Sequence, residues 1–144
     1  MPEVIEKFQL SSPEPRSLFS RVHFSCVSEH WKTPADLYAS LDVEFSFTLD
    51  PCPLNSVVDG FARSWVNERV YCNPPYGSAI EKWLAKAREA EVAVFLLPSR
   101  TDTNWFHLYA PICQEVRFIR GRLKFGGAAI SAPFPSCLLI FGRE

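Results

Sequence analysis

Hydrophobic and polar positions fall into short blocks along the chain, and the changes of period between blocks mark the predicted elements. Residues 43–49 alternate, with Val43, Phe45, Phe47 and Leu49 on one face, and the run stops at the turn signal Asp50-Pro51. This pattern predicts a strand with an acid at its carboxyl end. A second short strand is predicted over 69–72, cut off by Pro74 and Pro75, which cannot donate to a sheet ladder. Ile80, Trp83, Leu84 and Ala87 then recur at helical spacing, and Ser78 and Glu81 stand at the separation of a capping box. The continuous apolar run 92–97 predicts a buried strand, 103–110 a helix ending at Pro111, and 116–119 and 137–141 two further strands.

Thr33-Pro34 reads as a helix start, because threonine can cap free N–H groups and proline suits the first helical position. That helix is expected to reach about Leu41. Residues 1–21 mix prolines, serines and glutamates with no period and are expected to form a mobile arm, with one domain over 22–144. Strands alternating with helices predict an α/β fold with an open sheet, in which ligands sit beyond the carboxyl ends of the strands. Asp50 and the segment from Asn73 both fall at such ends.

Composition narrows the function classes. A chain of 144 residues, 47% hydrophobic, fits a single core. The formal charge is only -1, so contact with a polyanion would have to come from a local patch. Five scattered cysteines, with no C-x-x-C pair, suggest neither a disulfide framework nor a zinc site, and the histidines lack metal-ligand spacing. No metal is therefore expected. With no long apolar run, the protein is expected to be cytoplasmic and to make no use of a membrane.

The chemistry is concentrated in Asn73, Pro74, Pro75 and Tyr76. Asn73 offers a side-chain carbonyl, and Pro74 a backbone carbonyl aimed by two successive proline rings. Two fixed acceptors suit a weakly nucleophilic aromatic amine such as adenine N6, while the ring of Tyr76 would stack on an extruded base. The plainer reading of the tetrad is a rigid strand-to-helix turn, with Gly77 fitting either.

Around this tetrad the chain resembles the phage-type DNA N-6-adenine methyltransferase family. The resemblance runs from about Val22 to Phe141 and is carried by Trp31, Thr33 and Pro34; Leu49 to Cys52; Asp59 and Gly60; Trp65; Asn73 to Gly77; Trp83, Lys86 and Ala87; Leu97 to Trp105; and Gly121 to Phe125. It implies a compact Rossmann-like domain that moves a methyl group from S-adenosylmethionine to adenine in DNA, in a phage or restriction-modification setting. It also implies that Asn73 to Tyr76 are catalytic and that Trp31, Thr33, Pro34, Asp50, Cys52 and Asp59 line the cofactor pocket. An acid at a strand end such as Asp50 is chemically suited to accept from ribose hydroxyls, although it can equally end a strand in a turn. The chain lacks a G-x-G loop, and its segment between Asp50 and Asp59 is shorter than in the family it resembles. A silent DNA-binding relative is one alternative; action on RNA, cytosine N4 or a protein amide is another.

Two polar segments are candidate contacts to a duplex carrying a flipped adenine. Arg100, Asp102 and Trp105 follow the 92–97 strand, in a loop that could touch phosphate and base, or could instead cap the next helix and feed Trp105 and Phe106 into the core. Arg117, Arg120, Arg122 and Lys124 alternate with Phe118, Leu123 and Phe125 around Gly121, predicting a strand pair with a basic rim or a merely solvated face. The number of subunits is left open.

Overall fold

A computed structural model describes residues 32–52, 60–125 and 131–142. The expected arm over 1–21, with Trp31 and Asp59, lies outside the described residues. Helix α1 spans Ala35–Phe45, followed by β1 (Arg69–Cys72), α2 (Ile80–Ala85), β2 (Val92–Pro98), α3 (Asn104–Tyr109), β3 (Glu115–Phe118) and β4 (Ser136–Gly142). The sheet order is β1-β2-β4-β3: β1 runs parallel to β2, and β4 is antiparallel to both β2 and β3. The chain is thus α/β with a mixed four-stranded sheet.

β2 is apolar throughout because both faces of this central strand are covered. Successive side chains point to opposite faces, so Ala93, Phe95 and Leu97 join one cluster while Val94 and Leu96 join the other. The first cluster is closed by Trp65, Trp83, Leu84 and Trp105, the second by Leu41, Tyr71, Phe125 and Phe134. Ile80, Trp83, Leu84 and Ala87 are buried as their spacing predicts. The capping box does not form: α2 starts after Ala79 with no side-chain cap, and its last turn tightens into a 3-10 turn over Lys86–Glu89. Thr103, by contrast, caps α3 by accepting from the Phe106 N–H at 3.3 Å.

Three further expectations are corrected. Residues 43–49 are not a strand, because α1 continues to Phe45 and ends at Ser46 in the left-handed region. Leu37, Tyr38, Leu41 and Phe45 face the sheet at helical spacing, which outweighs the local alternation and leaves Val43 86% exposed. The turn after α1 is held by Asp42, whose carbonyl accepts from the Ser46 N–H and whose carboxylate accepts from that of Phe47. Only Leu49 pairs with the sheet, in a parallel bridge to Val70. Thr33 does not cap α1 either, since its hydroxyl is turned to β1. The strand pair around Gly121 is absent: β3 stops at Phe118, and the chain leaves the sheet to bury Phe125.

Two glycines test this packing in different ways. A Cβ on Gly60 would lie 1.8 Å from the Pro51 carbonyl oxygen, and the Gly60 carbonyl itself accepts from the Trp65 indole N–H. Gly121 has φ +75° with open space around it. Gly60→Ala is expected to lower stability by about 1–3 kcal/mol through overpacking, and Gly121→Ala by only about 1 kcal/mol through backbone strain. Thermal denaturation of both variants checks the order; equal melting temperatures would contradict the close approach at Gly60.

Candidate active site

The site is built on the carboxyl edge of β1. Leu49 runs beside Val70 in the parallel sense, and its carbonyl accepts from the Tyr71 N–H at 3.0 Å. Asp50 therefore leaves the sheet at the same edge as Asn73, which follows Cys72. The two prolines turn the chain away, and Asn73 and Pro74 remain buried while Gly77, at φ 127°, is exposed.

Asp50 accepts from the Cys52 N–H at 3.0 Å across Pro51, closing a side-chain turn. Burial raises its carboxyl to about 6, and the Cys52 N–H opposes that rise. Burial raises the phenols of Tyr71 and Tyr38; the Asp50 charge adds to the rise at Tyr71, and Asp42 followed by Asp50 adds to it at Tyr38. Cys52 contributes that backbone N–H, whereas its side chain is buried in the core.

Thr33 is drawn to the tetrad. Its Oγ1 lies 2.6 Å from the Tyr71 hydroxyl and accepts from Asn73 Nδ2 at 3.2 Å. Pro34 stands immediately before α1, half-buried. Thr33, Asp50 and Asn73 are thereby gathered around Tyr71. That residue escaped the sequence reading because a tyrosine inside a short strand looks like core; its only signal was its place two positions before Asn73.

Tyr76 closes the tetrad. Its ring meets Phe134 edge to face at 5.7 Å, and its hydroxyl donates to the Leu96 carbonyl at 3.2 Å. Burial pushes its phenol well up. The guanidinium of Arg100 sits over the same Phe134 ring at 5.9 Å, which brings an exposed cation beside the tetrad. Phe134 too was missed, although Pro133 and Pro135 on either side of it are the kind of residues that hold a loop aromatic in place.

The remaining candidates separate. Asp102 is exposed, but Trp105 is 9% exposed and packed in the first core cluster, because α3 must bury one face against the sheet. Arg117 is bound by Glu44 at 2.6 and 2.8 Å and by Glu115 at 2.7 and 3.0 Å, which raises its already high pKa further. It does not belong to a free basic rim. Arg120, Arg122 and Lys124 are exposed, with Arg122 also donating to the Ala132 carbonyl at 3.3 Å. A groove lined by Leu84, Arg88, Tyr109 and Phe141 lies at the opposite end of β2 and holds none of these residues.

Among the described residues no helix is long and apolar enough to cross a membrane. No curated protein and no solved structure shows a significant match to the chain. A family model does match, that of the DNA N-6-adenine-methyltransferases (Dam), over residues 23–136. That span takes in Thr33, Asp50 and the whole tetrad, and with it the chain belongs to the DNA N-6-adenine-methyltransferase family.

Proposed function

We propose that this chain is a site-specific, S-adenosylmethionine-dependent enzyme that methylates adenine N6 in duplex DNA, built on a compact Rossmann-like domain. The observation that carries the reading is the buried Asn73 at the end of β1, its amide nitrogen committed to Thr33, with Asp50 leaving the sheet at the same edge. The family match supports the reaction class.

Asp50 answers whether these residues suit the cofactor. It is a half-buried carboxylate at a strand end whose described hydrogen bond is a single N–H, so it retains acceptor capacity for ribose hydroxyls. The residues fit, with Asp50, Thr33 and Pro34 on the cofactor side. S-adenosylmethionine, when bound, supplies an electrophilic methyl on a sulfonium. The chain's own part is to hold the amine: the Asn73 side-chain carbonyl and the Pro74 backbone carbonyl would accept hydrogen bonds from its two N–H groups and localise its lone pair, and the one proton that the methyl replaces leaves to solvent. Placement of the reactants lowers the barrier, and no strong base is required. Tyr76 and Phe134 form the aromatic wall beside the extruded base, and Arg100 stands ready for a neighbouring phosphate. The reading places the enzyme with DNA in the cytoplasm, in a phage, prophage or restriction-modification setting.

Incubation with methyl-labelled cofactor and DNA of varied sequence tests the proposal. Label in N6-methyladenine is expected; binding of DNA without transfer would instead identify a silent relative. Asn73→Ala is expected to abolish transfer while cofactor binding and folding stay nearly intact, because the lost acceptor serves chiefly in the transition state. Turnover near that of the parent would remove Asn73 from the mechanism.

Asp50 has opposite effects on stability and binding. Its folded pKa of about 6 exceeds the usual carboxylate value, so its contribution favours folding at low pH and is lost as pH rises through about 6. Asp50→Asn keeps an acceptor for the Cys52 N–H but carries no charge. It is expected to melt higher than the parent at pH 8, and to weaken cofactor binding by more than tenfold, about 1.4 kcal/mol. Calorimetric titration from pH 5 to 8 should show affinity in the parent falling below about pH 6; a dissociation constant unchanged by the substitution would leave Asp50 as a turn former.

For the exposed cations, Arg122→Ala and Lys124→Ala are each expected to weaken DNA binding on every sequence and to lower the slope of log affinity against log salt by about one per lost phosphate contact. Arg117→Ala should leave that slope unaltered, since its charge is already held by Glu44 and Glu115. The opposite ranking would move the interface to the β3 face.

A further inference from the structure

Tyr71 is almost wholly buried, yet its hydroxyl is not spent on the core. The ring is locked between α1 and the sheet, edge-on to Tyr38 at 5.1 Å and tilted against Phe47 at 5.4 Å. This leaves the phenol oxygen one fixed position, and at that position it meets Thr33 Oγ1 at 2.6 Å.

Thr33 itself lies in the non-helical segment before α1, where no ladder or helix bond restrains its side chain. A threonine hydroxyl has one proton and two lone pairs and turns between staggered positions about χ1. The Tyr71 contact selects one of these. In that position Oγ1 accepts from Asn73 Nδ2 at 3.2 Å, so the nitrogen of the amide faces Thr33 and the carbonyl faces the other way.

We propose that Tyr71 is a positioning residue for methyl transfer: acting through Thr33, its hydroxyl fixes the orientation of the Asn73 side-chain amide so that the carbonyl is presented to the substrate amine. This rests on the reading of Asn73 as the catalytic acceptor. The chain of contacts runs from the buried face of β1, through the segment ahead of α1, and back to the strand end.

Tyr71→Phe keeps the ring and its packing while deleting the hydroxyl, and Thr33→Val keeps the β-branch while deleting Oγ1. Each is expected to lower kcat about fivefold to tenfold, the scale of one lost hydrogen bond, with KM for DNA little changed; Tyr71→Phe should melt near the parent, whereas Thr33→Val, which takes a partner from both the buried phenol and the buried amide, should melt lower. Thr33→Ser should recover most of the turnover, and the double variant should be no worse than the poorer single one. A second readout does not depend on activity: in nitrogen-15-labelled protein, the Asn73 side-chain NH2 signals, assigned by their loss in Asn73→Ala, should exchange with solvent at least about tenfold faster in Tyr71→Phe than in the parent. Unchanged exchange overturns the proposal whatever happens to turnover, and faster exchange with unchanged kcat overturns it as well. If the parent protein methylates no adenine, the proposed function fails, and the exchange rates alone decide whether Tyr71 holds the amide. Should Tyr71→Phe not fold, Thr33→Val carries the same two measurements.

Discussion

Parallel pairing on both sides of β1 determines where the candidate groups stand. On one side β1 is in register with β2, from Arg69 opposite Val92 to Cys72 opposite Phe95; on the other, Leu49 bridges Val70. Parallel neighbours present their carboxyl ends at a common edge, so Asp50 and Asn73 leave the sheet together although 23 positions separate them in the sequence. A slip of one residue would send Tyr71 to the opposite face and break its contact with Thr33. The burial of Val70 and Cys72 in one cluster, and Tyr71 in the other, opposes such a slip.

The edge so formed divides into two differently built sides. On one side the groups are polar and linked, with Asp50 bonded to the Cys52 N–H and Thr33 shared between Tyr71 and Asn73. On the other they are aromatic and cationic, with Tyr76, Phe125 and Arg100 all gathered on the Phe134 ring. Partial burial makes the polar side sensitive, because a charge there loses hydration that its partners only partly replace. The rise of the Asp50 carboxyl to about 6 is the measure of that deficit.

Electrostatics also sorts the basic residues. A near-neutral chain cannot rely on overall attraction to DNA, so what matters is which cations are uncommitted. Arg117 sits on the Phe45 ring and is shared by Glu44 and Glu115, which ties the end of α1 to β3 and consumes its charge. Arg120, Arg122 and Lys124 remain exposed along the segment that leaves the sheet, and Arg100 is presented next to the tetrad. A surface assembled in this way bears its positive charge on loops around the strand ends.

From the sequence by itself came the α/β alternation, β1, the apolar run of β2, the buried face of α2 and the place of the tetrad at a strand end. These rest on local signals that burial reinforces: continuous apolar character, helical spacing and the fixed geometry of proline. Where two local patterns competed, only tertiary structure could decide. The alternation over 43–49 was real, but the same residues also carry a helical stripe, and contact with Tyr71 favoured the helix. Thr33 has the chemistry of a cap, yet its oxygen is worth more to a buried phenol and a buried amide than to N–H groups that water can reach. Trp105 and Arg117 looked like surface contacts until the packing of α3 and the neighbouring glutamates engaged them. Tyr71 and Phe134 had no local signature of function, because what distinguishes them is the neighbour brought to them from 38 residues away in one case and 58 in the other. Such neighbours are created by the sheet register and the crossing of α1, and they do not exist in the chain before it folds.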